Sequence, residues 1–481
     1  MESLMGIPGI QKKGDAIKGP FYRGGGNYVV TSSDISMEEY ENYKKKLTEC
    51  GFEKSADNGD GFGNTVFSAT YQKGTIVLTV VYYAMTESMT VSFYSGMPSP
   101  HLKYQESPQI EGAKTTMYMP ELWWFGNSFV FQLKNGHFII SDGGYRNDLA
   151  YLFDFLEEHA PNGEKPIVDA WIITHAHGDH CGALMTVVEF HREWMERIFV
   201  EGIYVSEPND EVLAKCGGHT PHAIVRLASV WFKKQDGSTT GLYRPQTGQR
   251  YYFSDITMDI LYSQEQIVEE TYTNLNEAST VCLFTIEGQK CFLSGDVHET
   301  GLEFIVKNYP KEYLELDFFT LNHHGFNTSQ VFHEYANVKT ALITRIDQLP
   351  VQRIRETKYL MEQAKESLNW KEGTLVFEFP YEVGSYKRLP KNDWKYEEGA
   401  ERPTAGGPIY SLWGNAYTGF IFDMDDILFN GENLRDDAKR FLEFADEKKY
   451  KGYDFDDKKL WKFIVPECPM PNNSHYYSFR E

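Results

Sequence analysis

Thr174-His175-Ala176-His177-Gly178-Asp179-His180 constrains this chain more than any other stretch. Four side chains able to ligate a metal fall within six residues, directly after the apolar run Ala170-Trp171-Ile172-Ile173. Such a run predicts a buried strand, with the ligands at its carboxyl end, where α/β sheets place their chemistry. Imidazole and carboxylate together suit zinc, with iron and manganese as less favoured occupants. His175 and His177 stand two apart, so in an extended segment they project the same way and can share one ion. Asp179 and His180 are adjacent, turn differently, and can reach a second ion beside it. A bound dication lowers the pKa of water from about 15.7 toward about 7, and two ions roughly 3.5–4 Å apart can also stabilise a leaving oxygen. The plainer reading, a polar loop rich in histidine, leaves the order of these ligands unexplained.

The run resembles the H-x-H-x-D-H signature of metallo-β-lactamase-fold hydrolases. Two later stations add to the resemblance. Leu293-Ser294-Gly295-Asp296 follows a hairpin-like pair of apolar segments and looks like the strand-end Asp that bridges two metals in that family. Leu321-Asn322-His323-His324-Gly325 looks like the late His of the second metal. The resemblance covers roughly residues 115 to 380. It implies a four-layer αβ/βα sandwich of the α/β class, holding one or two metals at the edge of two sheets. Asn276 and Ser279 ahead of the bridging Asp, then the SGD and HHG stations, are nearest in pattern to the ComEC-like branch, the hydrolase domain of competence proteins. The implied ligands are His175, His177, Asp179, His180, Asp296 and one of His323 and His324, whose neighbour would line the pocket. Asp179, His180 and Asp296 are the implied catalytic set.

Many family members supply a third His to the first metal from the interval between HxHxDH and the bridging Asp. His191 falls in the helix expected after the motif, over Ala183 to Arg197, and reads as structural. His219 and His222 sit in a turn-rich loop, Gly217-Gly218-His219-Thr220-Pro221-His222, and either could be the additional ligand. Imidazole ligands need acceptors that fix their tautomers. Asp142, ending Phe138-Ile139-Ile140-Ser141-Asp142-Gly143-Gly144, is the candidate acceptor, against a plain turn-capping Asp. His298 reads as solvent-facing at a helix start. Cys181 reads as a small buried residue, with a thiolate beside the metals as the alternative. Trp123, Trp124 and Phe125 read as core between sheets or as the floor of an apolar pocket.

The formal charge is −22, with 47 Lys and Arg against 69 Asp and Glu. Phosphate-backbone binding depends on Lys and Arg, so the charge disfavours nucleic acid and favours a small-molecule substrate. Six cysteines, at 50, 181, 216, 282, 291 and 468, form neither a disulfide framework nor a CxxC site. With no basic-then-apolar start and no long apolar run, a cytoplasmic location without a membrane is expected. Nothing bears on oligomeric state.

Four segments are expected: an irregular start over 1–25, a small α+β domain over 26–105, the hydrolase domain over 106–384, and a loop-rich acidic extension over 385–481. In the second, Ser36 and Glu39 have capping-box spacing for a helix ending near Gly51, followed by strands through Phe67, Leu78 and Val91. In the third, Thr280–Ile286 and Gln289–Leu293 form a hairpin turning at Glu287-Gly288. The leading function is a metal-dependent hydrolase of an ester or phosphodiester. A single-strand nuclease on the same fold and a metal-binding scaffold or sensor are the alternatives. Phe422-Asp423-Met424-Asp425 resembles the first motif of haloacid-dehalogenase-type phosphatases, but too little chain follows it for that fold. Asp423→Asn is therefore expected to leave turnover of bis-p-nitrophenyl phosphate intact; abolished turnover would place chemistry in the extension.

Overall fold

The computed structural model describes residues 6–10, 17–24, 27–122, 126–145, 148–189, 192–206, 208, 232–267, 272, 274–325, 329–344, 360, 362–392, 429–430 and 433–434. Trp123 to Phe125, His191, His219, His222, Cys216, Asp423 and Cys468 lie outside these residues.

The amino-terminal unit is a six-stranded antiparallel sheet with one helix on it. Its strands are β1 (Ile17–Gly24), β2 (Asn27–Ser32), β3 (Glu53–Asp57), β4 (Val66–Lys73), β5 (Ile76–Tyr83) and β6 (Ser88–Ser95), in the order β1-β2-β6-β5-β4-β3. Helix α1 (Met37–Glu49) starts as expected: Ser36 Oγ accepts from the Glu39 N–H, and the Glu39 carboxylate accepts from the Ser36 N–H at 2.8 Å. It buries Tyr40, Tyr43 and Leu47 against Leu78, Val80 and Val91. Residues 17–24, expected to be irregular, are an edge strand paired to β2 through two register shifts. Those bulges and its glycines break the alternation that would mark a strand in sequence.

The opposite face of this sheet lies against the rest of the protein. Ser68 and Asn58 donate to the Gly248 carbonyl, and Gln249 donates to Thr70 and Thr79 at 3.1 Å each. Val66, Val81 and Tyr83 join the core of the neighbouring unit. Tyr82, Tyr83 and Tyr94 are all buried sheet residues.

Two larger sheets follow. The first holds β7 (Thr116–Met119), β8 (Ser128–Gln132), β9 (Phe138–Asp142), β10 (Ile167–Ile173), β11 (Phe199–Val200), β12 (Gly202–Val205), β13 (Gly241–Tyr243) and two late strands, β21 (Leu375–Glu378) and β22 (Lys387–Arg388). The second runs β14 (Arg250–Phe253), β15 (Ile256–Tyr262), β16 (Val281–Ile286), β17 (Gln289–Leu293), β18 (Glu315–Thr320), β19 (Asn337–Ile343) and β20 (Glu366–Asn369). Helices α2 (Leu149–His159) and α3 (Gly178–Glu189) cover the outer face of the first sheet; α4 (Glu299–Asn308) and α5 (Gln330–Tyr335) cover that of the second. The result is the four-layer αβ/βα sandwich.

The period-two alternation of each strand divides the cores. In β10, Ala170 and Ile172 face the opposite sheet, while Trp171 and Ile173 face α2 and α3; Val168 joins the latter side because the register shifts between it and Ala170. Strands buried on both faces read as continuous apolar runs, which is why β10 was visible as a block. The β16–β17 hairpin turns where expected: Glu287 and Gly288 both have positive φ, 50° and 80°, as the favoured two-residue hairpin turn requires. β22 falls past residue 384, so the first sheet reaches into the stretch expected to be extension; β22 is two residues long and gives no pattern to read. Phe131 stacks on Phe284 across the sheets, with ring centroids 4.6 Å apart. Phe131→Ala is expected to cost about 3–5 kcal/mol, read as a lowered midpoint of chemical unfolding. An unchanged midpoint would contradict this core.

Candidate metal centre

Strand β10 ends at Ile173, between β9 and β12, which both run parallel to it. The motif begins at the next residue and turns directly into a helix. Helix α3 opens at Gly178, five residues before the Ala183 start expected from sequence, so Asp179 and His180 stand in its first turn. Glycine and a charged first turn obscured that start, whereas the apolar run behind it was plain. His175, Asp179 and His180 are buried, and His177 is partly buried.

The second sheet supplies the remaining groups. Hairpin β16–β17 delivers Asp296 three residues past its end, with the Asp296 N–H donating to Ser279 Oγ at 3.1 Å. Gly295, at φ +52°, lies so close to Thr174 that a Cβ would fall 3.0 Å from its side chain. A side chain there would press on Thr174, which would have to give by a few tenths of an ångström, and would strain the positive φ. Strand β18 leads into the turn Asn322–Gly325, where His323 and His324 both take positive φ, 48° and 53°. Such conformations cost of order 1–3 kcal/mol each and persist where the surroundings enforce them. Here Asn322 donates to the Val297 carbonyl at 2.8 Å and the His323 N–H to the Gly295 carbonyl at 3.1 Å.

Two groups of ligand atoms result. Asp179, His180, Asp296 and His324 converge in one; His175, His177 and Asp296 converge in the other. Asp296 belongs to both. His175 Nε2 lies 3.0 Å from His177 Nδ1, His180 Nε2 3.1 Å from Asp296 Oδ1, and His324 Nε2 2.9 Å from Asp179 Oδ2. Two nitrogens at 2.0–2.1 Å from one tetrahedral ion would lie about 3.3 Å apart, so these spacings suit a small dication. His180 Nε2 is buried and makes no hydrogen bond, despite its nearness to Asp296. An unmet buried nitrogen is costly, and a cation is what its lone pair fits. These residues therefore fit a metal pair.

The electrostatics agree. Burial disfavours a charged His180, yet the Asp296, Asp142 and Asp179 carboxylates outweigh it and hold its imidazole well above the ordinary range. Burial likewise opposes ionisation of Asp296, but His180, His324 and His323 hold it well below the usual carboxylate range. His175 is driven well below its usual value by burial, then by His180 and His177. Buried carboxylates this close together demand positive charge between them.

Behind the ligands, Asp142 is fully buried at φ 60°. Its carboxylate takes His180 Nδ1 at 2.8 Å, the Thr174 N–H at 2.8 Å, Thr174 Oγ1 and Asn127 Nδ2 at 2.6 Å. It thus fixes the His180 ring with Nε2 turned into the cluster. Thr344 Oγ1 plays the same part for His324, 2.7 Å from its Nδ1. Sequence reading missed Asn127, Thr174 and Thr344. Thr174 opens the motif and was in view; Asn127 and Thr344 carried no local signal, since only the fold brings them to the ligands.

His323 belongs to neither ligand group: its Nε2 lies 3.9 Å from Asp296 Oδ2, while the ring turns toward His298 and Asn276. The left-handed backbone separates the two neighbours' directions, which sequence alone could not do. His298 is the amino-terminal cap residue of α4 and half-buried on His323, rather than solvent-facing. Cys181 is fully buried, donates to the His177 carbonyl at 3.1 Å, and is pushed up by burial and then by Asp142, which leaves it a thiol.

A His and Asp cluster able to hold a metal, at the edge of an αβ/βα sandwich, defines the class of this protein. Residues 122–343 match the family model described as "Metallo-beta-lactamase superfamily"; the chain carries a metallo-β-lactamase domain. It is 23% identical over 179 residues to ComE operon protein 3 of Bacillus subtilis (strain 168), which covers 37% of this chain and 20% of that protein. The chain thus spans about a fifth of that relative's length, within the branch to which Asn276, Ser279 and the SGD and HHG stations pointed. The crystal structure of Zn(2+)-bound PqqB from Methylobacterium extorquens aligns at 10% identity and a TM-score of 0.26, over 40% of this chain and 58% of that one.

Asp142→Asn is expected to weaken metal binding by about 10–100-fold, measured by competition with a chelator. His324→Ala should lower bound metal by one equivalent in elemental analysis, while His323→Ala keeps the wild-type content; the reverse result would exchange their roles.

Proposed function

We propose that the protein is a metal-dependent hydrolase of an ester or phosphodiester in a small or medium-sized anionic molecule. Zinc is the proposed occupant at one or two positions, with iron or manganese as alternatives. The observation that supports this most is the sharing of Asp296 between two groups of ligand atoms. His175 and His177 would hold one ion with it, and Asp179, His180 and His324 the other. A dication bound there supplies Lewis acidity and an acidified water.

The chain's own residues prepare that chemistry. Asp142 and Thr344 fix the tautomers of His180 and His324, so that both Nε2 atoms face the cluster. Asp179 is the more exposed of the two liganding carboxylates and is the group proposed to take up a proton. The helix start at Gly178 sets the positive end of α3 beside the ligands, which favours an anionic substrate. The formal charge of −22 favours a small anion over long nucleic acid.

A reducing, cytoplasmic setting fits Cys50, Cys181, Cys282 and Cys291, all unpaired. Among the described residues no helix is long and apolar enough to cross a membrane.

Purified protein is expected to carry one to two equivalents of metal. Asp179→Ala is expected to slow hydrolysis of bis-p-nitrophenyl phosphate by at least about 100-fold. Metal-free protein after gentle purification, or full activity in the variant, would overturn the reading.

A further inference from the structure

We propose that Arg23 is a positioning residue for the metal centre: from the amino-terminal sheet it steadies the bend that carries His175 and His177. This rests on reading the site as a metal centre and adds how that site keeps its shape. Arg23 lies on β1, and its side chain is fully buried. Its guanidinium donates to the Ile267 carbonyl and lies over the Phe21 ring, 5.1 Å from the centroid. Ile267 closes the short turn Gln264–Gln266, just after β15. Thr90, on β6, donates to Gln266 in the same turn at 3.4 Å. Two strands of the amino-terminal sheet therefore hold one turn of the neighbouring unit.

That turn leads to the ligands. Ile267, Tyr272, Leu275 and Ala278 share one buried apolar cluster with Ala176. Tyr272 Oη also donates to Gln264 Oε1 at 3.0 Å, which ties the cluster back to the turn. Ala176 stands between His175 and His177, in a bend that is neither strand nor helix. The ring nitrogens of those two residues are 3.0 Å apart, and the bend sets that spacing. Ligand geometry good to about 0.5 Å needs supports locked by packing and hydrogen bonds. A fully buried guanidinium is costly unless it is met. Here the Ile267 carbonyl accepts from it, and its charge acts on the buried Glu265 carboxyl two residues earlier. Asp142 and Thr344 orient His180 and His324; Arg23, through Ile267, adds a support for the other pair.

Metal affinity of the full chain, measured by zinc competition with a chelator, tests this. Arg23→Gln and Ile267→Ala are each expected to weaken binding by about tenfold. The double variant should be no weaker than either single one, because both break the same link. Arg23→Lys, which keeps a cation to donate to the carbonyl, should recover most of the loss. Ser68→Ala removes a different bond across the seam, to the Gly248 carbonyl, and should bind metal as wild type does. Unchanged affinity in Ile267→Ala overturns the proposal even if Arg23→Gln fails to fold. Additive losses in the double variant, equal losses in Arg23→Lys and Arg23→Gln, or the same loss in Ser68→Ala would also overturn it. Those results leave the metal reading standing, whereas a wild-type chain that binds no zinc, iron or manganese sinks that reading and the role of Arg23 together.

Discussion

The buried carboxylate of Asp142 is the interaction on which the rest depends. It stands at the end of β9 with its backbone in the left-handed region and draws Asn127, Thr174 and His180 onto two oxygens. Its own carbonyl accepts from Trp171 Nε1 at 2.8 Å, which ties it back to β10. A charge so deep in apolar surroundings is tolerable only when every lone pair is met. The same bonds orient His180, and through it the ligand group that reaches across to Asp296. Packing in the first sheet and geometry in the site are thus one network.

That network explains why the centre lies where it does. β10 and β17 end side by side, and the Thr280 N–H donates to the Thr174 carbonyl at 2.8 Å, joining the two sheets at their carboxyl ends. Gly295 lets the backbones meet there without a side chain between them. Histidines from a helix start, a carboxylate from a hairpin end and a histidine from a strained turn then fall within reach of each other. The amino-terminal sheet meets this body along a polar and aromatic seam. Arg23 reaches the Ile267 carbonyl, in the stretch of chain that leads on to Asn274 and Asn276.

Much of this was legible in the sequence, for identifiable reasons. The spacing of His175, His177, Asp179 and His180 is local, so a strand-then-turn reading placed them together before any fold was known. The capping box at Ser36 and the hairpin turn at Glu287-Gly288 are also local signals, and both formed. The bulged strand at residues 17–24 was hidden because its register shifts destroy the alternation. His323 and His324 were indistinguishable because their difference is a backbone rotation imposed by Asn322 and Gly295, residues that reveal nothing about direction by type. Asn127 and Thr344 are common residues made important only by long-range convergence.

The division of ligands between two sheets has a thermodynamic consequence. His175, His177, Asp179 and His180 come from one layer, and Asp296 and His324 from the other. An ion held by both is a cross-link across the seam, and its binding free energy adds to the cohesion of the halves rather than to either alone. Sequestering the ion would loosen the sandwich at its reactive edge first, while the aromatic packing around Phe131 and Phe284 at the interior of the seam still holds the layers together.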